Sequence, residues 1–229
     1  MRPALRLGTS GPLLFGPTPL THHLLAVLTG VIVVMVWVGA APVGQTRTPT
    51  ESVHDTINKL ALVLNNQELK LPGRTEERRW EIEQVIRDRV NYKEMAGHAL
   101  GLPWEALSDK GRQQFADLFV QLLRVRFGDS ITELSDAQVE YLDERRVGSL
   151  AEVRTKLIGH KVDIPLDFRL MRQSSDWVVY DVLADGVSIV NNYHAQIAKI
   201  IRDFSYEGLL EKMREKVSVL KLFEKMATP

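Results

Sequence analysis

Apolar side chains in the first half of the chain recur every three or four residues, which is the period of an α-helix. Thr48 and Glu51 form a capping box around Pro49, so the pattern predicts that a first helix begins there. The segment Leu71-Pro72-Gly73 then breaks the chain, because proline and glycine both disfavour a continued helix. A second helix is predicted after it, with Val90 on its apolar side.

Two further helices are predicted before the middle of the chain. The first is short and stops at Gly101, a residue type that commonly ends helices. Ser108 is a suitable N-cap for the next one. The strongest helical stripe of the chain follows Ser108 and consists of Phe115, Leu118, Phe119, Leu122, Leu123 and Phe127.

The pattern changes to alternation between Gln138 and Ala184, where apolar and polar residues take turns as in half-buried β-strands. Four strands joined by short turns are predicted, and they form an antiparallel meander with one apolar and one polar face. Pro165 falls inside the third strand and favours a sheet edge or a bulge there, because proline has no N–H to donate. Ser188 and Ser205 are predicted to begin the last two helices.

Composition narrows the class of protein. Hydrophobic residues make up 45% and charged residues 25% of the 229, which excludes wholesale disorder, collagen and a multi-span membrane protein. Basic and acidic residues are equal at 29 each, so no basic footprint for nucleic acid is present. The absence of cysteine excludes disulfides, thiolate catalysis, cysteine-ligated zinc and a lipid-modified N-terminal cysteine.

The N-terminus has the order of a secretory signal peptide. Arg2 and Arg6 precede the apolar run Leu24–Ala41, which ends in small residues. We expect cleavage after Ala40, so residues 1–40 are a signal peptide or, if cleavage fails, an uncleaved N-terminal anchor. Residues 41–47 are expected to form a linker, and the remainder is exported in either case.

Candidate catalytic chemistry is sparse. The sequence has no phosphate loop, and its histidines lack a second ligand at the spacing of a metal site, so no metal is expected. His194 is interpreted as a surface or helix-packing residue, and Asp163 with Asp167 as the solvated side of a strand. Asp181 lies within an apolar strand, where it is either a buried structural acceptor or, in an enzyme, an acid–base carboxylate.

Four motifs carry a family resemblance, and the last of them is Leu209-Leu210 followed by Lys212 and Lys216 in the closing helix. The main one is Trp177-Val178-Val179-Tyr180-Asp181-Val182, followed by Gly186–Tyr193 and Gln196. Leu100-Gly101 with Trp104 and the Phe115–Leu123 helix agree with it in order. Together they closely resemble the MlaC family of toluene-tolerance proteins over residues 50–217. The departures are His194 for an arginine, Ile197 for a phenylalanine, Asn91-Tyr92 for a motif like F-D-F, and a longer chain after Val217.

The resemblance implies an α+β fold: a four-stranded antiparallel sheet packed by helices, NTF2-like, with a small N-terminal helical subdomain. The phospholipid-binding domain is then residues 48–217, with its helical part at about 48–135 and its sheet and closing helices at about 136–217. Residues 218–229 are a C-terminal extension, interpreted as a swapped helix, a partner contact or a frayed end.

The resemblance also implies a function: a monomeric periplasmic carrier without enzymatic activity. It would bind phospholipid as cargo, without a cofactor, and pass it between an inner-membrane MCE-domain/ABC complex and an outer-membrane lipoprotein complex. Two alternatives stay open, an NTF2-like cavity enzyme that uses Asp181 and an envelope adaptor that binds no ligand.

Residues that share strand or helix faces are expected to line the lipid cavity of such a carrier. Val178 and Tyr180 face away from Trp177 and Val179, so only one of these two pairs can belong to the cavity. The predicted lining residues are Phe119, Leu123, Val153, Leu157, Ile164, Leu166, Phe168, Val178 and Tyr180.

Overall fold

The computed structural model describes residues 47–132, 138–158 and 163–227. The predicted signal peptide, its cleavage site and nearly all of the linker lie outside the described residues, as does Val162 of the third strand. Within the described residues the helices are α1 (Pro49–Asn65), α2 (Thr75–Arg87), α3 (Tyr92–Leu100), α4 (Pro103–Ala106), α5 (Asp109–Thr132) and α6 (Ile189–Ala227). The strands are β1 (Gln138–Val147), β2 (Leu150–Ile158), β3 (Ile164–Gln173), β4 (Asp176–Ala184) and β5 (Val187–Ser188).

The predicted helix boundaries agree with the capping side chains. The capping box at α1 is confirmed, since the Glu51 amide donates to Thr48 Oγ1 at 3.0 Å and the Thr48 amide donates to Glu51 Oε2 at 2.7 Å. Ser108 accepts from the Gly111 amide at the start of α5. Gly101 ends α3 with a φ of 73°, a conformation that strongly favours glycine.

The helix predicted to contain Val90 is shorter than expected. α2 ends at Arg87, and Val90 instead forms a parallel bridge with Val179 at the free side of β4. The Asn91 amide donates to the Val179 carbonyl and the Val179 amide to the Arg89 carbonyl, each at 2.8 Å. This segment therefore satisfies backbone groups that an uncovered strand edge would leave unpaired.

The sheet is an antiparallel meander in the order β1-β2-β3-β4-β5, so it has five strands and not the predicted four. The extra strand is only two residues long and pairs Ser188 with Leu183. Asp185 and Gly186 form the connecting turn, both at positive φ, as tight hairpins require. A two-residue strand has no measurable alternation, which is why the pattern did not predict it.

The prediction of a sheet edge or a bulge at Pro165 is wrong, because β3 lies between β2 and β4. Pro165 is the second residue of β3. It comes one residue before Leu166, where the pairing with β4 begins. Its carbonyl accepts from the Asp185 amide at 2.9 Å, so its nitrogen faces the side where the β4 ladder has already ended. No ladder hydrogen bond is lost, and the β3–β4 bulge lies elsewhere, between Arg169 and Leu170.

The last two predicted helices form one long element with an internal break. Ser188 accepts from the Asn191 amide at 2.9 Å, which confirms it as a cap for α6. Ser205 interrupts the helix with a φ of 75° and accepts from the Gly208 amide, so it marks the start of the second segment as predicted. In the part of the chain that the structure describes, no helix combines the length and apolarity needed to cross a membrane.

Two apolar clusters form the interior. The helical cluster brings together α3, α5 and α6, and the sheet cluster joins α1 to the strands β2, β3 and β4. Val90 packs against both clusters and links them. The largest fully buried side chains of the helical cluster are Phe115, Phe119, Leu100 and Leu209.

Candidate functional site

Five of the nine predicted lining residues share one face of the sheet. The antiparallel register pairs Val153 with Phe168 and Leu157 with Ile164, and Leu166 lies midway between the two β3 residues. Directly paired residues point to the same side of a sheet, and alternate residues along a strand do so too. We call this surface the β2–β3 face, and it consists of Val153, Leu157, Ile164, Leu166 and Phe168.

Burial decreases along β3 of the β2–β3 face, whereas Leu157 of β2, the partner of Ile164, stays buried. Val153 is fully buried in the sheet cluster, where Val53 of α1 and Leu170 also pack. Phe168 and Leu166 are half-buried, and Ile164 at the far end is 40% exposed. One end of the face is therefore closed by α1, while the other presents apolar side chains to solvent.

Tyr141 is a residue of this site that the sequence did not single out. It pairs with Thr155, so it lies on the same side of the sheet, and it packs against the sheet cluster. Its hydroxyl is buried and has no hydrogen-bond partner among the described residues, and burial raises the pKa of Tyr141 to about 12. A neutral phenol in this position is an unused hydrogen-bond donor next to an apolar surface. In sequence, alternation with Glu140 marked it as an ordinary strand residue.

The other four predicted lining residues lie elsewhere. Phe119 and Leu123 are buried in the helical cluster, where Phe119 stacks with Phe115 at a ring-centroid distance of 6.1 Å. Tyr180 packs against the same cluster, whereas Val178 is half-buried and pairs with Met171 on the side opposite the β2–β3 face. The structure thus brings together five of the nine residues and separates the rest from them.

The bulge explains the position of Tyr180. β3 pairs Arg169 with Asp181 but Leu170 with Val179, so Tyr180 is an additional residue without a direct partner. The alternation of β4 shifts at this point, and Asp181 lies on the opposite face from Val179. Strict alternation therefore predicts the correct faces for the β4 residues before Tyr180. It does not predict the faces of the residues after the bulge.

Asp181 is a structural acceptor, as the first of its two interpretations expected. It is 2% exposed, and its Oδ2 accepts from the Ser188 hydroxyl at 2.7 Å and from Arg169 Nη1 at 3.2 Å. Its Oδ1 accepts from the Val190 amide at 3.1 Å, the first turn of α6. Both oxygens thus accept from protein donors, which is the arrangement of a buried carboxylate with a structural role.

An open groove of about 560 Å³ lies beside Asp181 at the start of α6. It is a mixed surface that contains two cations, Arg169 and Lys199, and several carboxamides. Both cations already have acidic partners, since Arg169 pairs with Glu152 and Asp181, and Lys199 with Asp203. None of the nine predicted residues lines this groove, whose walls are Arg169, Leu183, Gly186, Val187, Ser188, Asn191, Asn192, Ala195, Gln196 and Lys199.

His194 packs between helices, in agreement with its sequence interpretation. Its Nδ1 lies 3.2 Å from the Ala99 carbonyl near the end of α3. A Cβ added to Gly101 would approach the ring Cε1 to 2.6 Å, so a larger residue there would have to displace the His194 ring as well as adopt a positive φ. The histidine that departs from the family motif thus contacts the end of α3 while its side chain stays largely exposed.

Metal ligation finds no support in the described ranges, which contain no group of three or more histidines and carboxylates able to hold an ion. The two strand carboxylates are engaged separately. Asp163 pairs with Lys156 at 3.4 Å, and Asp167 Oδ1 accepts from the Thr155 amide at 3.2 Å.

Comparison with known proteins gives three similarities. The family model described as MlaC protein matches residues 54–215. The intermembrane phospholipid transport system binding protein MlaC of Haemophilus influenzae is 22% identical over 135 residues, which cover 56% of this chain and 63% of that protein. The chain thus spans less than two thirds of that relative's length.

The third similarity is structural. A phospholipid-binding protein from Ralstonia solanacearum, solved in complex with a phospholipid, superposes with a TM-score of 0.68 at 21% identity. The match covers 74% of this chain and 97% of that one, and at this identity it establishes the fold. With a family model that matches well over half of its residues, the chain belongs to the MlaC family.

Proposed function

We propose that this protein is a phospholipid carrier and that the acyl chains of its cargo lie against the β2–β3 face. The observation that carries the proposal is the open end of this face. There, Ile164 and Leu166 of β3 keep apolar surface accessible beside the buried Leu157, although the other end of the face is packed against α1. Partly exposed apolar side chains at one end of a packed surface are the start of a hydrophobic ligand site.

Tyr141 supports the same site. Its hydroxyl can donate to an ester or phosphate oxygen of a phospholipid, which would supply the partner that it lacks among the described residues. The cargo would then be held by apolar contacts along its chains and by a small number of polar contacts near the glycerol. Chain length would contribute little to specificity, because apolar burial is not directional.

The free energy gained by burying acyl chains favours tight binding of a lipid. Burial gains about 0.8 kcal/mol per methylene, so one chain of about fifteen methylenes gains on the order of 12 kcal/mol before the costs of ordering. Spontaneous release into water would be correspondingly slow. Release should therefore require a docked partner that opens the site.

The relatives suggest what those partners are. The Haemophilus influenzae relative is named for an intermembrane phospholipid transport system, and the Ralstonia solanacearum structure holds a phospholipid. We propose by analogy that this protein is exported to the periplasm. There it would pass lipid between an inner-membrane MCE-domain/ABC complex and an outer-membrane lipoprotein complex, with the phospholipid as cargo and not as a cofactor.

Lipid extraction and mass spectrometry of the purified protein test the proposal. We expect about one phospholipid per chain in the native protein and its loss on denaturation. Leu166→Asp places a charge on the β2–β3 face, and burying an uncompensated carboxylate against acyl chains is strongly unfavourable, so lipid content should fall at least tenfold.

The matched control is Leu102→Asp, because Leu102 is exposed and lies outside both apolar clusters. This variant should retain the native amount of lipid, and circular dichroism should show that both variants are folded. Unchanged lipid in a folded Leu166→Asp protein would remove the β2–β3 face as the site. A native protein that takes up no phospholipid even from vesicles would overturn the carrier function and favour the adaptor.

A further inference from the structure

α1 packs on the part of the β2–β3 face that is closed to solvent. Val53 of α1 is buried in the sheet cluster with Val153, and the His54 ring lies 5.4 Å from the ring of Tyr141. The Tyr141 hydroxyl is itself buried and has no partner in the part of the chain that the structure describes. Cargo can therefore reach Val153 and this hydroxyl only if the groups that cover them move, and α1 is a helix packed against both residues.

Hydrogen bonds attach the first turn of α1 to the sheet. Thr50 donates to Glu144 Oε2 through its hydroxyl at 2.6 Å and through its amide at 2.8 Å. Glu144 pairs with Val153 in the β1–β2 ladder, so this contact lies on the same side of the sheet as the β2–β3 face. The Ser52 hydroxyl donates to Asp176 Oδ1 at the start of β4, at 3.0 Å.

Arg89 adds an ionic contact to the same attachment. Its two terminal nitrogens lie 2.6 Å from Asp55 of α1 and 2.6 Å from Asp176. The apolar share of the attachment is small, because α1 contributes Val53 and the half-buried Ile57 to the sheet cluster. Water can replace the polar contacts when the helix moves, so detachment of α1 exposes little apolar surface.

α1 can leave the sheet as part of a hairpin with α2, its neighbour in space. Leu64, Leu69 and Ile82 are buried in this hairpin and belong to neither of the two apolar clusters. Beyond the sheet, the hairpin contacts α5 through the partly exposed ion pair of Glu83 with Arg124. The hairpin therefore keeps its own buried residues when α1 moves.

We infer that α1 is a lid on the β2–β3 face, closed in this structure and held shut by a latch of polar side chains. The latch consists of Thr50, Ser52, Asp55, Arg89, Glu144 and Asp176. When it opens, the N-terminal half of α1 leaves the sheet and acyl chains enter or leave beneath it. The inference rests on the proposed function, since it describes how cargo gains access to the same face. Polar contacts suit a latch, because water or a docked partner can supply replacement hydrogen bonds.

A reducible cross-link across the latch tests the inference. Because the chain has no cysteine, Thr50→Cys with Glu144→Cys in the whole protein gives two thiols that a short bis-methanethiosulfonate reagent can join. The protein is freed of lipid by detergent exchange, and its uptake of fluorescently labelled phosphatidylethanolamine from vesicles is followed over time. The cross-linked form should take up lipid about tenfold more slowly than the same protein after reduction, because the lid cannot open.

The control is Thr50→Cys alone, which reacts with the same reagent but cannot be cross-linked and should keep the rate of the reduced protein. Mass spectrometry confirms the cross-link before each measurement. Equal uptake by the cross-linked and reduced forms would overturn the lid and leave the carrier function in place. A native protein that takes up no lipid would instead overturn the carrier function, and the lid with it.

Arg89→Met tests the latch without a cross-link. It removes the cation between Asp55 and Asp176, so uptake should become about fivefold faster than in the native protein, with the same final lipid content. Arg202→Met removes an exposed arginine paired with Asp203 and should keep the native rate. Uptake at the native rate by an Arg89→Met protein that circular dichroism shows to be folded would overturn the assignment of these ion pairs to the latch.

Discussion

At the scale of single residues, Asp181 joins three parts of the fold through one carboxylate. It binds Ser188 of β5, the Val190 amide of α6 and Arg169 of β3. The carboxylate also lies at the N-terminus of α6, where a negative charge is stabilised by the helix dipole. We conclude that this aspartate holds the long helix in position on the sheet.

Removing the Asp181 carboxylate should destabilise the folded protein. Asp181→Ala leaves the Val190 amide and the Ser188 hydroxyl without their acceptor, and both groups are buried with it. We expect the free energy of unfolding to fall by about 3 kcal/mol, measured by urea denaturation. Asp163→Ala is the control, since Asp163 is exposed and its pair with Lys156 should be worth less than about 1 kcal/mol. Equal losses in the two variants would contradict the proposed role of Asp181.

At the scale of elements, Arg89 connects α1 to β4. Its two terminal nitrogens each lie 2.6 Å from a carboxylate, one of Asp55 in α1 and one of Asp176 in β4. Asp176 also accepts from Ser52 of α1 at 3.0 Å. The helix that closes the packed end of the β2–β3 face is thus held by ion pairs as well as by apolar contacts.

The pKa values of both carboxyls are lowered in the folded protein. For Asp55, the hydrogen bond from Lys59 has the largest effect, and Arg89 and Arg47 lower the pKa further. For Asp176, burial alone would raise the pKa, but the Trp177 amide, the Ser52 hydroxyl and Arg89 outweigh it. A carboxyl with a lowered folded-state pKa stabilises the fold above its unfolded pKa of about 4 and loses this contribution as pH falls through the folded value.

Stability should therefore be nearly constant from pH 7 to 5 and should fall below about pH 4. Arg89→Met should lower the free energy of unfolding at pH 7 by about 1–2 kcal/mol, since the carboxylates are partly solvated, and should flatten the decline in acid. Urea denaturation between pH 3 and 7 measures both effects. Arg202→Met, which removes an exposed arginine paired with Asp203, should leave the profile unchanged. An Arg89→Met protein with the native acid profile would show that the ion pairs do not contribute.

The sequence predicted correctly those elements whose start or end is determined by residues close to it in the chain. The caps at Thr48, Ser108 and Ser188 and the stop at Gly101 act within a few residues, so sequence spacing is sufficient to locate them. The features that were missed depend on partners far away in the chain. Val90 leaves its helix because β4 offers it backbone hydrogen bonds.

The candidate site was predicted in part for the same reason. Regular alternation placed Val153, Leu157, Ile164, Leu166 and Phe168 on one face, and the register confirms it. The bulge at Tyr180 comes from the pairing of two strands and has no signature in β4 alone. Tyr141 could not be recognised either, because an unsatisfied hydroxyl is defined by what surrounds it.

At the scale of the whole molecule, the interior is divided into two apolar clusters linked at Val90. The helical cluster contains the largest fully buried side chains, Phe115 and Phe119. The sheet cluster is closed by α1 at one end and ends in partly exposed residues of β3 at the other. A ligand that packs against the exposed end of the sheet cluster would therefore bury additional apolar surface. It would not have to displace any side chain of the helical cluster.

Completion of the core by cargo should make stability depend on lipid. A ligand that binds only the folded state stabilises it by RT ln(1 + [L]/Kd), about 4 kcal/mol at a thousandfold excess over Kd. We expect protein freed of phospholipid by detergent exchange to unfold at clearly lower urea concentration and to regain its midpoint when phospholipid is restored. Leu166→Asp should unfold at the same midpoint with and without lipid, because its β2–β3 face no longer accepts a chain. If the urea midpoint of the native protein stays the same when its measured lipid content changes, the cargo lies outside the part of the core that unfolds cooperatively.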